Sequence, residues 1–272
     1  MCRIVVHGGK AHSDDFLSCC FLIHMNQGAK IYRRSPTQEE MKDDQVFVVD
    51  QGMDFNPDLK NFDHHHLDQQ ICSFTQILDD YFGKEYRAYV PSTQLVEAWD
   101  SRGFKGVHDI LGLPRNKIPL IENIIGGAMI NMFSNVTELN RDHDLYGIME
   151  RIGDFIHRTI VETPYYVDMI HNKSSVCIYK NLTILDCSRF STPEVEFNNY
   201  FEIYKRVYQA NFDVVLVQDV RTGGFRLKSD DINKLRFQPN QFCHFVHING
   251  FLACFKEHSD FMKVLDAAWI ST

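Results

Sequence analysis

The sequence predicts an α/β protein in three parts: a parallel-sheet domain over residues 1–115, a helical connector over 116–172, and a smaller α+β domain over 173–272. Three observations carry this reading. Through the first hundred residues, short runs rich in Val, Ile and Tyr alternate with helical segments, the pattern of a parallel sheet wrapped by helices. From Asn116 to about Thr163 the apolar spacing is helical throughout. Beyond Asn172 the β-character returns, and Asn249-Gly250 sits between two β-rich arms, a strong hairpin signal.

The elements follow in order. "RIVVH" (3–7) reads as a strand and "DDFLSCCFLIHMN" (14–26) as the helix after it. "AKIYRR" (29–34) and "QVFVVD" (45–50) are the next strands, parted by a polar stretch. Ser73 and Gln76 form a capping-box pattern before "ILDDYF", and Gly83 ends that helix. "STQLVEAWDSR", from 92, is a further helix that stops at Gly103. In the connector, Ile148, Ile152, Phe155 and Ile156 form the apolar series. The last part offers strands at "SVCIY", "LTILDC", "FDVVLVQDV" and "FRLKS", a helix around "FEIYKRVYQ", and the hairpin "FCHFVHINGFLACFK".

Composition narrows the function. A chain of 272 residues can bury a full core, and 44% hydrophobic with 24% charged residues leaves little room for disordered tracts. The N-terminus meets charge and histidine almost at once, unlike a signal or transit peptide, and no apolar run is long enough to cross a bilayer. The expectation is a soluble, cytoplasmic protein with no membrane partner. Nothing in the pattern sets an oligomeric state. Eight scattered cysteines without a Cys-x-x-Cys pair read as buried thiols of a reducing compartment. A net charge of -8 argues against a broad basic surface for duplex DNA.

Carboxylates and imidazoles gather where strands end, which is where open α/β sheets bind ligands. His7, His12, Asp14 and Asp15 follow the first strand, Asp50 follows the third, the Asp63-to-His66 group comes next, and Asp100 closes "LVEAWD". Singly, each has a plainer explanation: Asp14-Asp15 would complement a helix dipole, Asp50 would be a turn residue, and a lone histidine is more often hydrogen-bonded than a ligand. Together they form a mixed imidazole and carboxylate set without cysteine, suited to manganese, iron or zinc. Six such groups exceed what one tetrahedral ion needs, which points to two.

His7-Gly8-Gly9-Lys10-Ala11-His12-Ser13-Asp14-Asp15, Val48-Val49-Asp50, Asp63-His64-His65 and Glu97-Ala98-Trp99-Asp100 resemble the four-motif signature of the DHH phosphoesterase superfamily. The spacing His-x-x-x-x-His-x-Asp-Asp is most similar to the melanocyte-proliferating-gene branch, described as metal-dependent hydrolases or exonucleases. In the last part the resemblance rests on "CHFVHINGF". It implies that His7 and His12 hold one ion, that Asp14, His64 and Asp100 hold the other, and that Asp50 bridges them. The ions would be manganese, with magnesium, iron or zinc as alternatives. His65 would face the substrate and Asp63 would orient its neighbours. His66 matches no family role, and Lys10-Ala11 replaces the Thr-Phe or similar pair of relatives.

The implied reaction is hydrolysis of a phosphodiester by two ions, with an oligonucleotide or nucleotide as substrate. A short single-stranded RNA or DNA, cut from an end, leads. A cyclic dinucleotide and pyrophosphate are the alternatives within the superfamily. A non-catalytic nucleotide-binding protein that keeps the cage, and a one-zinc hydrolase of a non-phosphate bond, are the competing classes. Period-two alternation in "FRLKS" places Arg226 and Lys228 on one strand face, suited to phosphate or to plain solvation. His247 is a substrate contact by resemblance, and Lys10 is a further candidate for phosphate.

Overall fold

Val46-Phe47-Val48-Val49 is buried along its whole length, a demand met only by a strand inside a sheet covered on both faces. The computed structural model describes residues 2–112, 124–190 and 200–271. The chain divides into two units, Met1–Val161 and Glu162–Thr272.

In the first unit β1 (Arg3–Val6), α1 (Ser13–Met25), β2 (Lys30–Arg33), β3 (Val46–Val49), β4 (Phe55–Asn56) and β5 (Asn61–Phe62) come first. After them run α2 (Ser73–Phe82), α3 (Ser92–Leu111), α4 (Ile124–Ser134), β6 (Glu138–Leu139) and α5 (Asp144–Lys173), which continues past the division. The sheet order is β4-β5-β3-β1-β2-β6. The four inner strands are parallel, and β4 and β6 close the edges antiparallel. Register does the positioning: Val6 is level with Val49 and Arg33, and Val49 with Phe62. His7, Asp50 and Asp63, one residue further on, therefore leave the sheet side by side.

α1 is buried nearly all round, through Phe16, Cys19, Cys20, Phe21, Leu22 and Ile23, as expected of a helix that is apolar on every side. α5 comes close enough that a Cβ on Gly153 would collide with the Cys20 carbonyl. Three local expectations change. The cap of α2 is Cys72, one residue before the expected Ser73, because Thr75 rather than Gln76 lies three residues into the helix. Gly103 breaks the helix (φ 58, ψ -142) without ending it, since α3 resumes to Leu111. Residues 124–161 belong to the first unit, with β6 paired to β2 and Phe133, Leu145 and Met149 in its core. The remainder of the expected connector's start, to residue 123, lies outside the described residues. Ile152 and Ile156 pack on that core, while Ile148 and Phe155 are exposed.

The second unit contains β7 (Ser175–Tyr179), β8 (Leu182–Asp186), α6 (Tyr200–Tyr208), β9 (Val214–Asp219), β10 (Gly224–Ser229), β11 (Leu235–Arg236), β12 (Cys243–Val246), β13 (Leu252–Phe255), α7 (Phe261–Asp266) and β14 (Trp269–Ile270). Its main sheet runs β12-β13-β10-β9-β8-β7, and β11 pairs with β14. β12 and β13 form the expected hairpin across Asn249-Gly250, with Gly250 at φ 74 and an irregularity at His244. Among the described residues, no helix is long and apolar enough to cross a membrane.

Candidate metal centre

The end of β1, the first turn of α1, the ends of β3 and β5, and α3 supply the site. Asp50 takes a left-handed backbone (φ 56) directly after β3, a conformation that Asp tolerates better than most residues. His12 immediately precedes α1, and its N–H donates to Asp15 Oδ1 at 2.7 Å. Asp15 also accepts from Phe16 N at 2.8 Å, so this carboxylate sets the start of the helix that carries Asp14. Sequence reasoning gave Asp15 only a helix-dipole role; its position three residues after His12, as in a capping box, was the available signal.

These side chains converge. His7 Nε2 lies 3.1 Å from Asp15 Oδ2 and 3.4 Å from Asp50 Oδ2. His64 Nε2 lies 3.2 Å from Asp50 Oδ1 and 3.0 Å from Asp100 Oδ2. Ligand atoms of His7, His12 and Asp50 fall within 4.8 Å of one another, as do those of His12, Asp14 and Asp100, and those of Asp50, His64 and His65. Asp50 and His12 each belong to two of these groups.

Short distances here are not hydrogen bonds. Nε2 of His7 and of His64, both oxygens of Asp14, Asp15 Oδ2 and Asp100 Oδ2 are buried without a hydrogen-bond partner. An unpaired buried polar atom costs about 1–3 kcal/mol, and more if charged, so six in one place need a common partner. Imidazole and carboxylate donors fit hard-to-borderline divalent cations, and the cluster therefore fits metal ions. Its protonation balance agrees. The Asp15 carboxylate, against the pull of burial, raises His7 to about 9. Burial lowers His64, but the Asp100 and Asp50 carboxylates outweigh it and push the imidazole up to about 10. Burial, with the charges of Asp50, Asp100 and Asp15, drives Asp14 well above the usual carboxylate range. The carboxylates thus keep protons on the His7 and His64 imidazoles where cations would sit, and ligation, which needs neutral imidazoles, displaces them.

Asp63, unlike these groups, is engaged in hydrogen bonds. It accepts from Met53 N at 2.6 Å, from His65 N at 3.0 Å and from His65 Nδ1 at 2.7 Å. Burial opposes its ionisation, but the His65 and Met53 donors hold it below the ordinary carboxylate value. The His65 side chain is 54% exposed. His66 is exposed beside it.

Residues 3–82 match the MYG1_exonuc model, described as an uncharacterised protein family (UPF0160). Over this span the chain is similar to the melanocyte-proliferating-gene family. No curated protein matches the chain. A solved structure, a pGpG-specific phosphodiesterase, PggH, from Vibrio cholerae, is similar at 14% identity and TM-score 0.28, covering 84% of this chain and 83% of that one. At that superposition nothing of its chemistry is transferred.

The family span contains His7, His12, Asp14, Asp50, His64 and His65, and α3 adds Asp100 from beyond it. Next to the cluster the same unit has a cleft of about 580 Å³ lined by Lys10, His12, Trp99, Asp100, Asn131 and Ser134. Ser134 Oγ accepts from Ala11 N at 2.8 Å, fixing the loop between Gly9 and His12.

The remaining predicted residues lie in the second unit. Arg226 is buried, and its Nη2 donates to Asp219 Oδ1 at 2.6 Å. Lys228 is exposed. His247 Nδ1 accepts from Asn249 N at 3.2 Å, and its side chain lines a cleft of about 680 Å³ with Arg236 and Trp269.

Proposed function

We propose that the chain is a two-metal phosphoesterase, manganese-dependent and cytoplasmic, that hydrolyses phosphodiester bonds in short single-stranded RNA or DNA from an end. The observation that carries this reading is the set of six buried donor atoms without hydrogen bonds around Asp50. The exonuclease label of the family agrees with it, and eight free thiols agree with a reducing compartment.

His7 and His12 would hold one ion, Asp14, His64 and Asp100 the other, and Asp50 both. Such ions supply a nucleophile at neutral pH and neutralise charge on the phosphoryl oxygens. The chain's own residues do the rest. Asp63 fixes the His65 proton at Nδ1 and stabilises the imidazolium, as a carboxylate does behind a catalytic histidine. Nε2 of the exposed ring is left for substrate, where it donates a hydrogen bond to a phosphate oxygen or a proton to the leaving alkoxide. Asp15, through its bond to His12 N, keeps that loop in place.

The test is an assay of purified protein, with manganese and after chelation, against labelled oligonucleotides, cyclic dinucleotides and pyrophosphate, alongside metal analysis. Metal-dependent release of mononucleotides is expected. One zinc per chain, unaffected by changing Asp14 or Asp100, would sink the two-metal reading.

A further inference from the structure

The cleft beside the cluster has a composition that catalysis does not require. We propose that it is a nucleobase subsite in which Trp99 stacks the base next to the phosphate held at the cluster. The substrate is then a nucleotide chain rather than pyrophosphate or a simple phosphate ester; this rests on the phosphoesterase reading above.

Its volume, about 580 Å³, lies in the range of pockets that take small ligands. His12 and Asp100 form part of its wall, so a ligand anchored by a phosphate at the cluster extends into it. Trp99 is only partly buried and is braced edge-to-face by Phe104, with centroids 5.0 Å apart and planes at 67°. Aromatic faces of this kind bind any base, because every base has a π-face. Gly126 and Gly127 line the cleft without side chains, and a Cβ at Gly127 would meet nothing within 4 Å. Asn131 adds an exposed amide able to donate and accept, and Lys10 an exposed ammonium for a flanking phosphate.

The chain has two tryptophans, so in a Trp269→Phe background Trp99 alone reports by fluorescence. With manganese present, adenosine 5′-monophosphate should quench that emission and inorganic phosphate should not. Trp99→Leu should weaken adenosine monophosphate binding about ten- to a hundredfold and leave phosphate binding, read by calorimetry, unchanged. Trp99→Tyr, which keeps a stacking face, should restore most of the affinity. Equal quenching by phosphate, a Leu variant that binds the nucleotide normally, or a Tyr variant as weak as Leu overturns the subsite. A dinucleotide separates the two readings. If it is not hydrolysed while nucleotide quenching persists, the hydrolase reading falls and the subsite stands; if it is hydrolysed with an unchanged KM in Trp99→Leu, the subsite falls and the hydrolase stands.

Discussion

Each unit of this protein has a cluster that looks like a metal site, and the two differ in what their carboxylates already hold. In the second unit Asp219, His244 and Cys254 bring ligand atoms within 4.8 Å of one another. Yet Asp219 accepts from Arg226 Nη2 and from Thr222 Oγ1 at 2.8 Å. Burial would raise its pKa, but these donors hold it below the ordinary carboxylate value. Its cation is part of the chain. In the first unit the Asp14 and Asp100 oxygens and the imidazole nitrogens meet without hydrogen-bond geometry. Residue types alone do not mark a metal site; buried donors left over do.

Asp50→Asn should break the first cluster most severely, abolishing turnover and lowering bound metal with the fold intact, since a shared ligand serves both ions and Asn also tolerates a left-handed backbone. Near-normal activity with full metal content would remove Asp50 from the bridge. His65→Ala should keep its metal and lose roughly two to four orders of magnitude in rate, the range for a lost acid-base group. Loss of one ion instead would exchange the roles of His64 and His65.

Arg226→Ala sharpens the contrast from the other side. It takes the nearest cation from the buried Asp219 carboxylate and leaves it Thr222 Oγ1 and, at 3.7 Å, Arg221 Nε, so we expect about 1–3 kcal/mol of destabilisation in urea unfolding with metal content unchanged. An unchanged unfolding midpoint with a raised KM on oligonucleotides would make Arg226 a substrate contact alone.

The smallest effect belongs to Glu40, a carboxylate of the first unit whose cation is also built in. It is bonded to both Arg34 nitrogens at 2.8 and 2.7 Å, and Arg34 holds it at about 2, below its ordinary 4.5. Because the folded value is the lower one, its contribution is complete above pH 4.5 and is lost as the pH falls towards 2. Arg34 is nearly half exposed, so solvent screening leaves about 0.5–1 kcal/mol. Glu40→Gln should be less stable than the parent by that amount at pH 6 and equal to it near pH 2; a gap that persists at pH 2 would assign the effect to packing.

Much of the first unit was legible because parallel strands announce themselves. "RIVV" and "VFVV" are unbroken apolar runs, and the residues after them, His7 and Asp50, are the polar groups a strand end exposes. β6 was not legible: Glu138-Leu139 is two residues long and carries no period, and only pairing with β2 makes it a strand. The alternation in "FRLKS" was read correctly as strand. The fate of Arg226 was hidden, since Asp219 reaches it only through antiparallel pairing, with Gly224 opposite Asp219 and Arg226 opposite Val217. The His65 clamp is local, between Asp63 and a residue two positions on, and so was visible as an orienting carboxylate; the cleft at Trp99 was not, because much of its lining, Gly126, Gly127, Asn131 and Ser134, comes from α4.

Two ties from the end of α4 have a bearing on how the protein is made. Ser134 Oγ holds Ala11 N, and the Phe133 carbonyl holds the Arg33 guanidinium, which also grips the His7 carbonyl at 3.1 Å. Every proposed ligand has been synthesised by residue 100, but the loop that presents His12 and the strand end that presents His7 lack these anchors until residues 133 and 134 have left the ribosome. A nascent chain that ends just after Asp100 therefore has every proposed ligand and neither anchor.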